Sequence, residues 1–184
     1  MTGKPVRSDA RENRRRILEV AREALSRAGD TSLNEIAKRA EVGPGTLYRH
    51  FPTRESLVLA IYRHELEELA ALAPALLETQ PPLTALRGWL DRVARYGQVK
   101  YGVAEVIHAA TTASLEDEAY ALVIGAIKQL LTAGADAGLL RPDVDPDDFL
   151  LLISFLWRID PATGGEARAA RMLDLVMEGL LLRD

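Results

Sequence analysis

The 184-residue chain contains no cysteine, which excludes structural disulfides, thiolate zinc sites, iron–sulfur clusters and cysteine nucleophiles together. Histidine is scarce as well. The three present, His50, His64 and His108, are scattered, and no carboxylate pair falls on one apolar helix face. Little is therefore available for metal binding or acid–base catalysis. Long apolar runs are missing too: the longest, Phe149 to Trp157, is too short to span a bilayer and is interrupted by Ser154. Gly43-Pro44-Gly45 lacks the Gly-Lys-Ser/Thr of a phosphate loop, and no cofactor is expected. Residues 1–16 hold six Lys/Arg and no apolar segment of the signal-peptide kind, so the expected location is the cytoplasm.

What is abundant is alanine and leucine, 56 residues against 29 for valine, isoleucine and threonine. Unbranched side chains keep rotamer freedom in a helix and β-branched ones lose it, so the expected fold is all-α. The apolar period agrees nearly throughout. Ile17, Val20, Ala21, Ala24, Leu25 and Ala28 make one stripe, with Gly29 as its cap. Ser32 and Glu35 form a capping box for a second helix that runs to about Ala40. Pro44 suits the first position of a third, which must end near Phe51 because Pro52 follows. Thr53 caps a fourth helix with Leu57, Ile61 and Leu69 inward and an interruption expected at Pro74. After a corner at Glu78–Pro82, further helices are expected at 83–99, 103–112, 115–137, 147–159 and 166–182. No strand-period segment or internal repeat occurs.

The formal charge of −4 conceals an asymmetry. Residues 1–64 carry 13 Lys/Arg and 8 Asp/Glu, a balance of +5; the remainder carries 10 and 19, a balance of −9. A basic end on an acidic body suggests that one end meets a polyanion. Two other acidic signals fail as sites. His64-Glu65-Leu66-Glu67-Glu68 lacks the second histidine of a zinc-protease helix and reads as a solvated face. Asp143 to Asp148 lacks the glycine and glutamate of a calcium loop and reads as acidic capping of the next helix.

The informative block is Thr31 to Leu57. Two short helices with a three-residue connection form a helix-turn-helix, whose second helix enters the DNA major groove. Leu33, Ile36, Ala37, Ala40, Val42, Leu47 and Phe51 can pack inward and fix the angle between the helices. Pro44, Gly45, Thr46, Tyr48, Arg49 and His50 remain outward, a small-then-polar surface. Gly45 lets the helix start approach the bases, and Thr46 can meet a base edge. Tyr48 and His50 can donate to phosphates; Ser32, Thr53 and Arg54 lie beside the same groove face.

The run Glu35-Ile36-Ala37 … Ala40-Glu41-Val42 … Gly45-Thr46-Leu47-Tyr48-Arg49-His50-Phe51 … Arg54-Glu55-Ser56-Leu57 resembles the TetR family of transcriptional regulators over about 50 N-terminal residues. Family members commonly have Gly where Glu41 stands and Ser where Gly43 stands, so Glu41 argues against a left-handed turn there. The resemblance implies a helix-turn-helix DNA-binding domain over 1–52, a connecting helix over 53–80 and a helical ligand-binding and dimerisation domain over 81–184. It implies a homodimer on a palindromic stretch of double-stranded DNA, with no membrane association. Release by a small-molecule effector is also implied. Phe149, Ile153, Leu156, Leu173, Val176, Met177 and Leu180, on two helices rich in apolar residues, are the expected dimer interface. Trp89, Tyr96, Tyr101, His108, Thr111, Thr112, Gln129, Ser154 and Trp157 are the candidate pocket lining. Few charges share those faces, so the expected effector is uncharged and apolar. The rival expectation is an all-α small-molecule carrier or enzyme in which the helix-turn-helix is only scaffold.

Overall fold

The structure, a computed structural model, describes residues 5–27, 31–110 and 113–182. Eight α-helices follow one another among these residues: α1 Pro5–Arg27, α2 Leu33–Arg39, α3 Pro44–His50, α4 Arg54–Thr79, α5 Pro82–Ala110, α6 Ala113–Asp136, α7 Pro146–Ile153 and α8 Gly165–Leu180. Short 3-10 turns at Ser154–Arg158 and Pro161–Thr163 join the last two. The all-α expectation holds. Gly29, expected to cap the first helix, lies outside the described residues.

Several helix boundaries differ from those expected. The segments 83–99 and 103–112 belong to one helix, α5, which passes through Gly102 without a break. An interior glycine costs only about 1 kcal/mol relative to alanine, which the packing of a long helix exceeds. α4 likewise continues through Pro74 to Thr79. The expected helix 147–159 is α only as far as Ile153, then tightens into the 3-10 turn.

The chain divides into two compact units. One comprises α1–α3, α4 as far as Tyr62 and the end of α5 from Gly102; the other comprises α4 from Arg63, α5 as far as Tyr101, and α6–α8. The division therefore falls inside α4, rather than at the ends of a separate connecting helix over 53–80. In the first unit Ile17, Leu18, Ala21 and Ala24 of α1 share a core with Ile36, Ala37, Ala40, Leu47, Phe51, Leu57, Val58 and Ile61. Leu33 and Val42 are partly buried against it. In the second, Leu66, Leu69, Leu86, Trp89, Leu90, Ile127, Leu130, Phe149, Ile153 and Leu173 are buried.

Burial corrects two sequence expectations. Glu65 is not on a solvated face: it is 3% exposed and accepts a hydrogen bond from Arg92 Nη2 at 2.8 Å. Of the side chains expected at a dimer interface, Phe149, Ile153, Leu156, Leu173, Val176 and Leu180 are at most 8% exposed within a single chain, and Met177 is half-buried. Side chains packed into their own core have almost no surface left for a partner. The leucines that α7 and α8 leave bare are Leu151, Leu152 and Leu175, at 72%, 53% and 68% exposure.

Candidate nucleic-acid interface

Local capping shapes the helix-turn-helix. Ser32 is extended, and its hydroxyl accepts from Glu35 N at 3.2 Å. The Glu35 carboxylate does not return to Ser32 as a full capping box requires; it pairs with Arg39 at 3.1 Å. At the other end of α2, Glu41 N donates to Lys38 O and Val42 N to Ala37 O, at 3.2 and 3.0 Å. That is the Schellman pattern, and Glu41 sits in the left-handed region at φ 54°. The left-handed turn is thus made without glycine, contrary to the expectation from Glu41. Gly138 makes the same pattern at the end of α6, at φ 68°, where no side chain opposes it.

α3 begins at Pro44 with Gly43 as an extended cap, and Thr46 N and Leu47 N both donate to Gly43 O. Leu47 and Phe51 anchor it at 0% and 2% exposure. Pro44, Gly45, Tyr48 and Arg49 face outward, Tyr48 at 44%, while Thr46 and His50 are half-buried. A Cβ on Gly45 would meet nothing within 4 Å, so its bareness leaves open space at the helix start. Seven residues rise about 10 Å, a length that fits across a major groove about 12 Å wide.

The remaining head residues are partly engaged inside the protein. Thr53 and Ser56 cap each other, Ser56 N donating to Thr53 Oγ1 at 3.1 Å and Thr53 N to Ser56 Oγ at 3.2 Å. Arg54 Nη1 donates to Thr31 O at 2.6 Å, which ties the start of α4 to the approach to α2. An interaction with no signal in the sequence joins α1 to α3: the Arg14 guanidinium lies 5.5 Å from the centre of the Phe51 ring. The basic first helix is visible in the sequence only as charge, because a pairing 37 positions apart follows no local period.

In the second unit the candidate pocket residues separate. Trp89 is fully buried and its indole N–H donates to Leu69 O at 2.8 Å. Tyr96 and Trp157 meet edge to face at 5.7 Å. Gly97 lets the 3-10 turn come that close, since a Cβ there would fall 2.8 Å from Leu156 O. Ser154 is half-buried in the same turn. Gln129 is elsewhere, on an open groove of about 720 Å³ beside Leu77, Lys128 and Thr132. The side chains of Tyr101 and His108, and all of Thr111 and Thr112, lie outside the described residues. Asp145 caps α7 as expected, accepting from Asp147 N and Asp148 N at 2.8 and 3.2 Å. Next to it, Arg141 lowers the Asp143 carboxyl to about 2 by hydrogen bonding. Among the described residues no helix is long and apolar enough to cross a membrane.

A short polar helix held on a three-helix core, followed by a larger helical unit, defines a helix-turn-helix DNA-binding protein with a separate helical module. Comparison with known proteins names the class. Residues 17–61 match the model for bacterial regulatory proteins of the tetR family, and residues 81–182 match that for the transcriptional regulator SbtR-like C-terminal domain. A TetR transcriptional regulator from Streptomyces coelicolor is 36% identical, with a TM-score of 0.83 over 93% of this chain and 99% of its own. A TetR regulatory protein from Mycobacterium vanbaalenii is 30% identical, with a TM-score of 0.80 over 97% of this chain and 100% of its own. An HTH-type transcriptional regulator from Staphylococcus aureus is 41% identical over 64 residues, 34% of this chain and 35% of that protein, so the chain matches about a third of its length. The chain belongs to the TetR family of transcriptional regulators. These are DNA-binding transcription factors rather than enzymes, which removes the reading of the helix-turn-helix as mere scaffold.

Proposed function

We propose that the chain is a cytoplasmic repressor that binds a palindromic operator as a homodimer and leaves it when a small molecule occupies the second unit. The observation that carries this reading is the outward surface of α3. Pro44, Gly45, Thr46, Tyr48 and Arg49 are small or polar and close no core, although Leu47 and Phe51 between them are buried. Such a face is suited to base edges at its start and to phosphates at its end. Ser32, His50, Thr53 and Arg54 flank it and complete the proposed contact set.

The proposed dimer face is Leu151 and Leu152 of α7 with Leu175 of α8, rather than the buried residues beneath them. Around Leu175, Arg171 and Glu178 are both exposed. If α8 pairs antiparallel with its mate about a two-fold axis, each Arg171 meets the partner's Glu178. Two heads then address half-sites about 34–36 Å apart. Tyr96, Ser154 and Trp157 are the proposed pocket lining, and their sparse charge favours an uncharged, apolar effector. Differential affinity of that effector for the bound and released arrangements drives release.

A gel shift on the duplex upstream of the chain's own gene tests this, with Tyr48→Phe and His50→Ala alongside wild type. Wild type should bind with steep salt dependence. Each variant should bind about fivefold more weakly per head, as removal of one hydrogen bond of about 1 kcal/mol implies. Absence of salt-sensitive binding contradicts the reading. Calorimetry showing tight binding only of strongly charged compounds contradicts the effector class.

A further inference from the structure

Three consecutive arginines on α1, Arg14 to Arg16, are not equivalent. Arg15 is held by Glu12 at 2.6 Å and by Glu19 at 2.5 Å. Arg14 is exposed, makes no ion pair with a described residue, and lies over the Phe51 ring at 5.5 Å. Phe51 is 2% exposed and forms the C-terminal cap of α3, with the His50 ring 6.1 Å from its own. The ring is therefore a fixed platform, and the cation on it is held next to the polar end of α3. Stacking on an aromatic ring engages a guanidinium through its π face. The N–H donors at the edge of the plane remain available to a bidentate partner such as a phosphate.

We propose that Arg14 is a further DNA-contacting residue, through which α1 supplies a backbone-phosphate contact beside Tyr48, Arg49 and His50. This rests on the reading of the first unit as a DNA-binding head. A bond to phosphate positions the protein without reading bases, so Arg14 contributes equally on every sequence. Arg15, the next residue along α1 and already occupied by two carboxylates, does not.

The test uses the full chain and a pool of random-sequence 30-bp duplexes, with affinity measured at several salt concentrations. Arg14→Gln should weaken binding about five- to tenfold and reduce the log–log salt slope by about 0.9, the share of one neutralised phosphate. Arg15→Gln removes the same charge and should change affinity less than twofold. Arg14→Lys keeps the charge without the planar guanidinium and should restore part of the slope. Thermal midpoints of all three should stay at the wild-type value, since both arginines are exposed. Equal effects of Arg14→Gln and Arg15→Gln assign the loss to the overall field and overturn the proposal, as does wild-type binding by Arg14→Gln. If wild type itself fails to bind the pool at low salt, the DNA-binding reading falls with it, a distinct result.

Discussion

In the first unit Arg14 and Arg49 have no carboxylate partner among the described residues, whereas in the second Arg63, Arg87, Arg92 and Arg141 each pair with one. Arg87 reaches from α5 to Asp174 on α8, and Arg92 joins α5 to the buried Glu65 of α4. Apolar surface is distributed the other way. The one large hydrophobic exposed in the first unit's described residues is Tyr48, while the second leaves Leu151, Leu152, Leu175 and Leu182 more than half exposed. The first unit thus presents unpaired cations, and the second presents unburied leucines. An overall charge of −4 and a uniform helical period conceal this difference, yet it assigns a polyanion to one unit and an apolar surface to the other.

The sharpest way to break that comparison is to put charge into the apolar face. Leu175→Asp should convert a dimer into monomers by sedimentation and weaken operator binding by roughly 100-fold or more, because two linked heads lose their shared effective concentration. Its thermal midpoint should fall only modestly, since Leu175 is 68% exposed. An intact dimer would remove these leucines from the interface. The next effect, of opposite sign, concerns the turn of the first unit. Glu41→Gly should stabilise the chain by about 1 kcal/mol in denaturant unfolding, because a side chain at φ 54° carries a left-handed penalty that glycine lacks. No gain would mean that neighbouring interactions compensate Glu41.

The smallest effect separates paired from unpaired arginines. Arg141 holds the Asp143 carboxyl at about 2, below the ordinary aspartate value of 3.8. A depressed carboxylate contributes stability above its unfolded pKa and loses that contribution as pH falls from about 4 through 2. Arg141→Gln should therefore be slightly less stable than wild type at neutral pH and indistinguishable below about pH 2. The pair is solvent-exposed, so about 1 M salt should erase most of the difference.

The legibility of the sequence also divides between the units. The helix-turn-helix is fixed by short-range chemistry: the Ser32 cap, Pro44 at a helix start and Pro52 after its end. All of that is local and readable. Helix type is readable in the second unit as well, but not which apolar face turns inward. Leu151 and Leu152 are chemically equivalent to the buried Leu173 and Leu180, and only the packing of α7 and α8 distinguishes them. Gly102 and Pro74 mislead for a related reason, because tertiary burial outweighs a local cost of one residue. The Arg14–Phe51 and Tyr96–Trp157 pairings depend on helices meeting far apart in sequence, and no spacing rule announces them.

Selection of binding sequences from a random duplex pool by the purified chain tests the central claim most directly, that paired copies of α3 read DNA. The predicted result is an enriched inverted repeat whose half-site centres lie about 10–10.5 bp apart, or a multiple of that spacing. Recovery of a single unrepeated motif, or of no enriched sequence, would contradict it.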